Sequence, residues 1–104
     1  MNSDEMMLII THGEWFNPET NNVCTFSWSD SDQSINIEYL SGDKAGRKKS
    51  HQLVKIYQSQ EALQNCTVLR YQSNLFTTEF KLCSEEGPLS VVSNVFGKME
   101  LIRR

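Results

Sequence analysis

The side chains that could carry out acid–base or nucleophilic chemistry are few and widely spaced. The 104-residue chain has two histidines and three cysteines, namely His12, His51, Cys24, Cys66 and Cys83. With Lys55, the two histidines could form an acid–base pair and a phosphate-binding lysine of the kind that a metal-free ribonuclease uses. A cysteine beside a histidine could instead form a thiol nucleophile. Neither arrangement has a supporting spacing in the sequence.

The sequence lacks the short motifs that accompany common catalytic and metal sites. It holds no P-loop, no G-x-G-x-x-G, no G-x-S-x-G and no H-E-x-x-H. The histidines and thiols match no metal-ligand spacing. Cys24 alternates with Phe26 and Trp28, as a small buried hydrophobic residue does. We therefore expect a protein without catalysis, metal or cofactor, and the remaining enzymatic hypothesis is a phosphodiesterase-like activity that uses His12 and His51.

The charged residues are divided unevenly along the chain. Residues 1–43 hold eight acids and no base, whereas residues 44–104 hold ten bases and five acids, so net charges of −8 and +5 sum to −3. Four of the ten bases fall within six positions: Lys44, Arg47, Lys48 and Lys49. Such an asymmetry can indicate a charged partner. Alternatively, acidic and basic strands neutralise each other across a sheet, and the basic run is a solvated loop.

The acidic first part of the chain predicts a surface that docks on a basic protein. Charge complementarity steers association, and a tryptophan could supply an aromatic anchor. The leading hypothesis is a small non-catalytic cytoplasmic protein that occludes a basic partner, as an immunity or antitoxin-type inhibitor of a nuclease toxin does. Its predicted contact residues are Glu14, Trp15, Glu19, Asp30, Asp32 and Asp43. The alternative for Trp15 is burial at an open end of the core.

The basic run supports a second hypothesis, a nucleic-acid-binding accessory protein. Lysine and arginine in a glycine-containing loop suit contacts to phosphate groups, so the contact residues would be Lys44, Arg47, Lys48 and Lys49. The negative net charge and the lack of an RNP or helix-turn-helix motif count against it. Salt dependence separates this hypothesis from a purely structural module, because phosphate contacts weaken steeply with added salt.

The hydrophobic pattern repeats mostly every two residues, which indicates strands. Residues 23–29 and 34–40 alternate clearly on either side of the polar turn 30–33 and therefore predict a hairpin. The apolar run 6–11 is predicted to be a strand, and residues 59–66, behind a Ser59 N-cap, a short helix. Further strands are predicted over residues 53–57, 67–72, 75–83, 89–92 and 95–102, with a tight turn at 73–74.

These elements predict one domain over residues 1–104 of the α+β class. It would be a mostly antiparallel sheet of about seven short strands in a meander with one short helix, and a small β-barrel is the alternative. Edge strands of an open sheet could pair between copies, which allows a homodimer. No apolar run is long enough for a secretory signal or a membrane span, and the odd number of cysteines fits no disulfide framework. The cytoplasm is the expected compartment, with no membrane partner.

Overall fold

Eight antiparallel strands form a closed barrel in the computed structural model, which describes residues 1–61, 64–73, 76–94 and 97–104. Helix α1 spans Ser3–Ile10. The strands are β1 (Trp15–Asn17), β2 (Asn22–Ser29), β3 (Ser34–Ser41), β4 (Lys48–Glu61), β5 (Gln64–Ser73), β6 (Phe76–Leu82), β7 (Leu89–Ser93) and β8 (Gly97–Arg103). Each strand pairs with the next one along the chain, and β1 also pairs with β8, which closes the barrel.

The prediction of a mostly antiparallel sheet with one short helix is confirmed, although the described strands number eight rather than about seven. The hairpin around residues 30–33 is present, with Phe26 opposite Ile37. Closure into a barrel corresponds to the alternative architecture that the sequence left open. The strand β1 was not predicted, because three residues among turn signals are too few to show an alternation.

The apolar run 6–11 forms most of α1, so its prediction as a strand is wrong. Asn2 caps the helix, and its Oδ1 accepts a hydrogen bond from the Glu5 N–H over 2.8 Å. Met6 and Ile10, one helical turn apart, are both fully buried. A short continuous apolar run is compatible with a buried strand or a buried helix, and here the N-cap and the spacing of the two buried residues favour the helix.

The short helix predicted over residues 59–66 is also wrong for the part of that segment that the structure describes. β4 runs through residue 61 and β5 begins at residue 64, while residues 62–63 lie outside the described residues. Ser59 pairs with Cys66 across the two strands. Pairing of β5 with strands on both sides outweighs the helix propensity of so short a segment. Residue 74 of the predicted tight turn, and residues 75, 95 and 96 of two predicted strands, also lie outside the described residues.

A disulfide joins Cys66 on β5 to Cys83, which follows β6. The expectation that the cysteines form no disulfide is therefore wrong for this pair. The bond was not predicted, because an odd cysteine count and a separation of 17 residues match no disulfide framework. Barrel pairing brings the two residues opposite each other, since the neighbouring residues Thr67 and Leu82 are partners in register. Cys24 is free and buried.

Helix α1 covers one end of the barrel, which we call the plugged end. The Trp15 Nε1 donates a hydrogen bond to the Ile10 carbonyl over 2.9 Å, and the Thr67 hydroxyl donates to the Met1 carbonyl over 2.7 Å. In a barrel of consecutive antiparallel strands, successive connections alternate between the two ends. The connections β1–β2 and β3–β4 therefore lie at the other end, which we call the open end. Within the described part of the chain, no helix is long and apolar enough to cross a membrane.

Candidate functional site

The open end of the barrel leads into a cavity of about 760 Å³. The interior of an eight-stranded barrel is just wide enough to be filled by side chains or to hold one small ligand. The volume here falls within the range of roughly 300–1,000 Å³ that is typical of small-molecule sites. The apolar part of the wall consists of Cys24, Ile37, Tyr39, Phe76, Val91, Met99 and Leu101. The cavity can therefore hold one small molecule against a largely apolar surface.

A cluster of aromatic side chains in the barrel interior borders the cavity. The ring of Phe80 packs edge-on against Phe26 and Tyr71, with centroid distances of 5.7 and 5.3 Å. Val91 is opposite Phe80 in register, Thr78 is opposite Tyr71, and both of these smaller side chains line the cavity. Space therefore remains beside the aromatic cluster, where these side chains are too small to fill the interior.

Four cationic side chains lie among the residues that line the cavity: Lys44, Arg47, Lys49 and Lys98. The first two belong to the β3–β4 connection. Lys49 on β4 is opposite Ile37, whose buried side chain faces the interior, so the two residues share the inner face. Lys48 is opposite Glu38, which is exposed, and it is not part of the lining. Strand alternation therefore divides the basic run of the sequence between the rim of the cavity and the outer surface.

Hydrogen bonds to β3 and β2 hold the basic connection in place. The Gly46 N–H donates to the Tyr39 carbonyl over 2.8 Å, and the Tyr39 N–H donates to the Arg47 carbonyl over 2.9 Å. The Lys44 N–H donates to Asn22 Oδ1 over 3.4 Å. The Lys44 ammonium lies 5.3 Å from the centre of the Tyr39 ring, a distance at which a cation is attracted to the ring face. The loop is thus anchored on the wall that it borders.

The electrostatics of the cavity differ between wall and rim. Burial raises the pKa of the Cys24 thiol to about 12, and burial also raises the pKa of Tyr39, with smaller effects of Cys24 and Asp43. Both groups are therefore neutral near pH 7. At the rim, burial lowers the pKa of Lys49, and the positive charges of Lys44 and Arg47 lower it further. The wall is uncharged, and positive charge is concentrated where the cavity meets solvent.

The acids predicted to bind a partner are divided between the two ends of the barrel. Glu19 and Asp43 lie in connections at the open end, whereas Asp30 and Asp32 lie in the β2–β3 turn at the plugged end. Glu14 directly precedes β1 at the plugged end. These residues therefore do not form one continuous acidic face.

Local contacts already engage several of these predicted partner-binding residues. The Trp28 Nε1 donates to Asp30 over 2.6 Å, and the Ser34 hydroxyl donates to Asp32 over 2.6 Å, which lowers the pKa of Asp32. Trp15 is fully buried beneath α1, so it cannot serve as an exposed aromatic anchor and instead belongs to the core. The burial that the sequence left open as the alternative for this residue is the arrangement found.

The residues proposed for catalysis belong to separate parts of the barrel. His12 lies between α1 and β1, whereas His51 lies on β4 opposite Ile35. The strands β2 and β3 stand between β1 and β4 in the barrel wall. No cluster of three or more metal-ligating side chains occurs among the described residues.

Sequence reasoning identified Lys44, Arg47 and Lys49 but assigned them to nucleic acid, and it missed the cavity itself. A signal was present: Val91 and Thr78 are small residues at inward-facing positions, whereas Phe26 and Phe80 are large. That difference in size can be interpreted only once the sheet is known to close into a barrel.

Comparisons of the chain with protein-family models, with curated proteins and with solved structures found no match.

Proposed function

We propose that the protein binds one small, largely apolar molecule in the open half of the barrel and does not transform it. The observation that carries this proposal is the cavity of about 760 Å³ with an apolar lining and one open end. Covering apolar surface that faces water is favourable by about 25 cal/mol per Å². Because the wall is a closed, hydrogen-bonded sheet, a ligand pays little to order its site.

Polar groups at the mouth would orient such a ligand. In small-molecule sites, a few convergent polar groups on an otherwise apolar wall fix the orientation of the ligand. Asn17 and Asn22 are buried at the ends of β1 and β2 and line the cavity, as does Thr78. The Asn22 side chain is itself held by a hydrogen bond to Thr20 over 2.8 Å. These amides would meet the part of the ligand that lies nearest to the rim.

The two functions that the sequence suggested remain hypotheses, and they have less structural support than the binding of a small molecule in the cavity. Occlusion of a basic protein would now depend on separate acidic sites, such as the turn with Asp30 and Asp32, without Trp15 as an anchor. Nucleic-acid binding would need Lys48 and Lys49 on one surface, although they lie on opposite faces of β4. Neither hypothesis gives a reason for an unfilled barrel interior.

Titration with the neutral apolar fluorophore N-phenyl-1-naphthylamine tests the proposal. We expect a saturable increase in fluorescence with one site per chain. Val91→Phe places a phenyl group in the cavity and should weaken binding by about tenfold or more, equivalent to roughly 1.4 kcal/mol. Val92→Phe is the matched control, because Val92 points outward and is 39% exposed. Absence of saturable binding, or equal loss in both variants with their circular dichroism spectra unchanged, would overturn the proposal.

A further inference from the structure

The charge at the rim indicates what kind of molecule the cavity takes. Lys44, Arg47 and Lys49 come from one connection and the strand that follows it, and all three line the cavity. Like charges at the border of a low-dielectric region repel one another. The lowered pKa of Lys49, caused first by burial and then by Lys44 and Arg47, is consistent with that repulsion. An anion bound among the three side chains would relieve it.

Two of the three cations are not paired with a protein carboxylate in the part of the chain that the structure describes. No carboxylate there lies within ion-pair distance of Lys44 or Arg47. By contrast, the fourth cation of the lining, Lys98, is paired with Glu100 at 3.3 Å. Glu19, the one acid among the described lining residues, belongs to the β1–β2 connection. Lys44 and Arg47 on the positive side of the rim are therefore available to a ligand.

We propose that the ligand is an amphiphile with an acidic head, a carboxylate or a phosphate, whose apolar body fills the barrel while its head binds Lys44, Arg47 and Lys49. This inference rests on the proposed function, because it requires a ligand in the cavity. The planar guanidinium of Arg47 matches the geometry of either oxyanion, and the two ammonium groups add point charges. A head at the rim stays partly hydrated, which limits the desolvation cost of the ion pairs.

The same basic run contains an internal control for this assignment. Lys48 is adjacent to Arg47 and Lys49 in sequence but pairs with Glu38 on the outer face and does not line the cavity. A general attraction between anions and the basic run would involve Lys48 as much as its neighbours. A head bound at the rim would interact with Arg47 and Lys49 but not with Lys48.

Displacement of N-phenyl-1-naphthylamine by three ligands of equal chain length tests the inference: dodecanoic acid, dodecyl phosphate and dodecanol. We expect one or both acidic ligands to bind about tenfold tighter than the alcohol at low ionic strength, and added salt to reduce the difference. The acid and phosphate arms identify the preferred head. Arg47→Gln and Lys49→Gln should each weaken the acidic ligands about fivefold and leave the alcohol unchanged, whereas Lys48→Gln should change neither.

The outcomes separate this inference from the proposed function. Two results would overturn the inference that the ligand has an acidic head: equal affinity for the alcohol and both acidic ligands, or failure of all three to displace a bound probe. Neither result would contradict the proposal that the cavity binds a small apolar molecule. An equal effect of Lys48→Gln and Lys49→Gln would also overturn it, because the attraction would then not be located at the rim. Failure of the probe itself to bind would overturn the proposed function.

Discussion

The guanidinium carbon of Arg103 lies 4.2 Å from the centre of the Trp15 ring at the plugged end of the barrel. The same guanidinium donates hydrogen bonds to the backbone carbonyls of Ile9 and His12. The Trp15 indole in turn donates to the Ile10 carbonyl over 2.9 Å. One side chain at the end of β8 therefore connects the last strand, the first strand and helix α1, and it stabilises the closure on which the cavity depends.

Replacement of Arg103 by methionine should lower the free energy of unfolding by about 2–4 kcal/mol. Hydrogen bonds to a charged group contribute roughly 1.5–3 kcal/mol, and a cation above an aromatic ring adds about 0.5–2 kcal/mol. Urea unfolding followed by tryptophan fluorescence measures the change. Arg104→Met is the matched control, because Arg104 is exposed and lies 3.9 Å from Glu14, and it should change the stability by less than about 0.5 kcal/mol. Equal losses in the two variants would contradict this account of the closure.

Removal of the Tyr71 hydroxyl should leave the protein as stable as before or more stable by up to about 1 kcal/mol near pH 7. Tyr71 is fully buried, and its hydroxyl has no hydrogen-bond partner among the residues that the structure describes. A buried polar group without a partner lowers stability, so Tyr71→Phe removes an unfavourable group and keeps the ring that packs on Phe80 at 5.3 Å. Thermal unfolding at neutral pH measures the change, and a loss above about 1 kcal/mol would mean that the hydroxyl is bonded in solution.

The same variant should differ from the wild type more strongly in alkali. Burial raises the pKa of Tyr71 above its ordinary value of 10.0. Above that pH the unfolded chain loses the phenolic proton before the folded chain does, so the folded state binds more protons and stability falls as the pH rises. Tyr71→Phe lacks this loss, whereas Tyr39, whose pKa is also raised by burial, contributes equally to both proteins. Parallel stability curves of the two proteins above pH 10 would contradict the assignment.

Reduction of the Cys66–Cys83 disulfide should lower the stability by about 3 kcal/mol, as expected for a closed loop of this length, since the two residues are 17 positions apart. Thermal unfolding with and without dithiothreitol measures the loss. The double variant Cys66→Ser/Cys83→Ser is the control and should not respond to the reductant. The oxidised protein should show a single reactive thiol, and only after unfolding, because Cys24 is buried and its pKa is raised to about 12.

A thiol count of three in the unfolded, untreated protein would contradict the disulfide.

The disulfide also bears on the expected cytoplasmic location, because reducing compartments keep cysteines as thiols and oxidising compartments keep disulfides intact. The disulfide therefore counts against that expectation, although the compartment itself stays a prediction.

Local patterns predicted the strands well wherever burial on one face alternates with exposure on the other. The β2–β3 hairpin shows this best, since buried side chains alternate with more exposed ones over residues 24–27 and 35–40 and the turn is polar. The predictions for residues 6–11 and 59–66 failed because tertiary packing decided them. α1 is fixed by its cap and by the burial of Met6 and Ile10, and the ends of β4 and β5 by their mutual pairing.

The cavity could not be predicted from the sequence because it depends on closure of the barrel, which pairs strands that are far apart in the chain. Phe16 on β1 pairs with Ile102 on β8, and no local pattern reports a contact over that separation. Without closure, Lys48 and Lys49 belong to one basic run. With closure and register known, Lys49 faces the interior together with Ile37, whereas Lys48 faces outward. The sequence thus supplied the cations of the candidate site but not the face on which each of them lies.

The β3–β4 connection provides a test of whether the placement of the basic rim matters for binding. Gly42 and Gly46 both have positive φ, at +91° and +86°. A Cβ on Gly42 would lie 2.9 Å from the Asn22 Cα and even closer to its side chain, whereas a Cβ on Gly46 would meet nothing within 4 Å. Gly46→Ala should therefore cost only the backbone strain of about 1 kcal/mol. Gly42→Ala should cost more and displace the connection from β2.

Because the Lys44 N–H bonds to Asn22, the displacement should move Lys44 and Arg47 away from the rim. Gly42→Ala is therefore expected to weaken dodecanoic acid several-fold, by roughly 1 kcal/mol, while dodecanol is affected less. Gly46→Ala should leave both affinities close to those of the wild type. Probe displacement measures the affinities, and urea unfolding shows that each variant is folded under the conditions used. Equal weakening of acid and alcohol by Gly42→Ala would mean that the connection shapes the cavity mouth without placing the charges that bind the head.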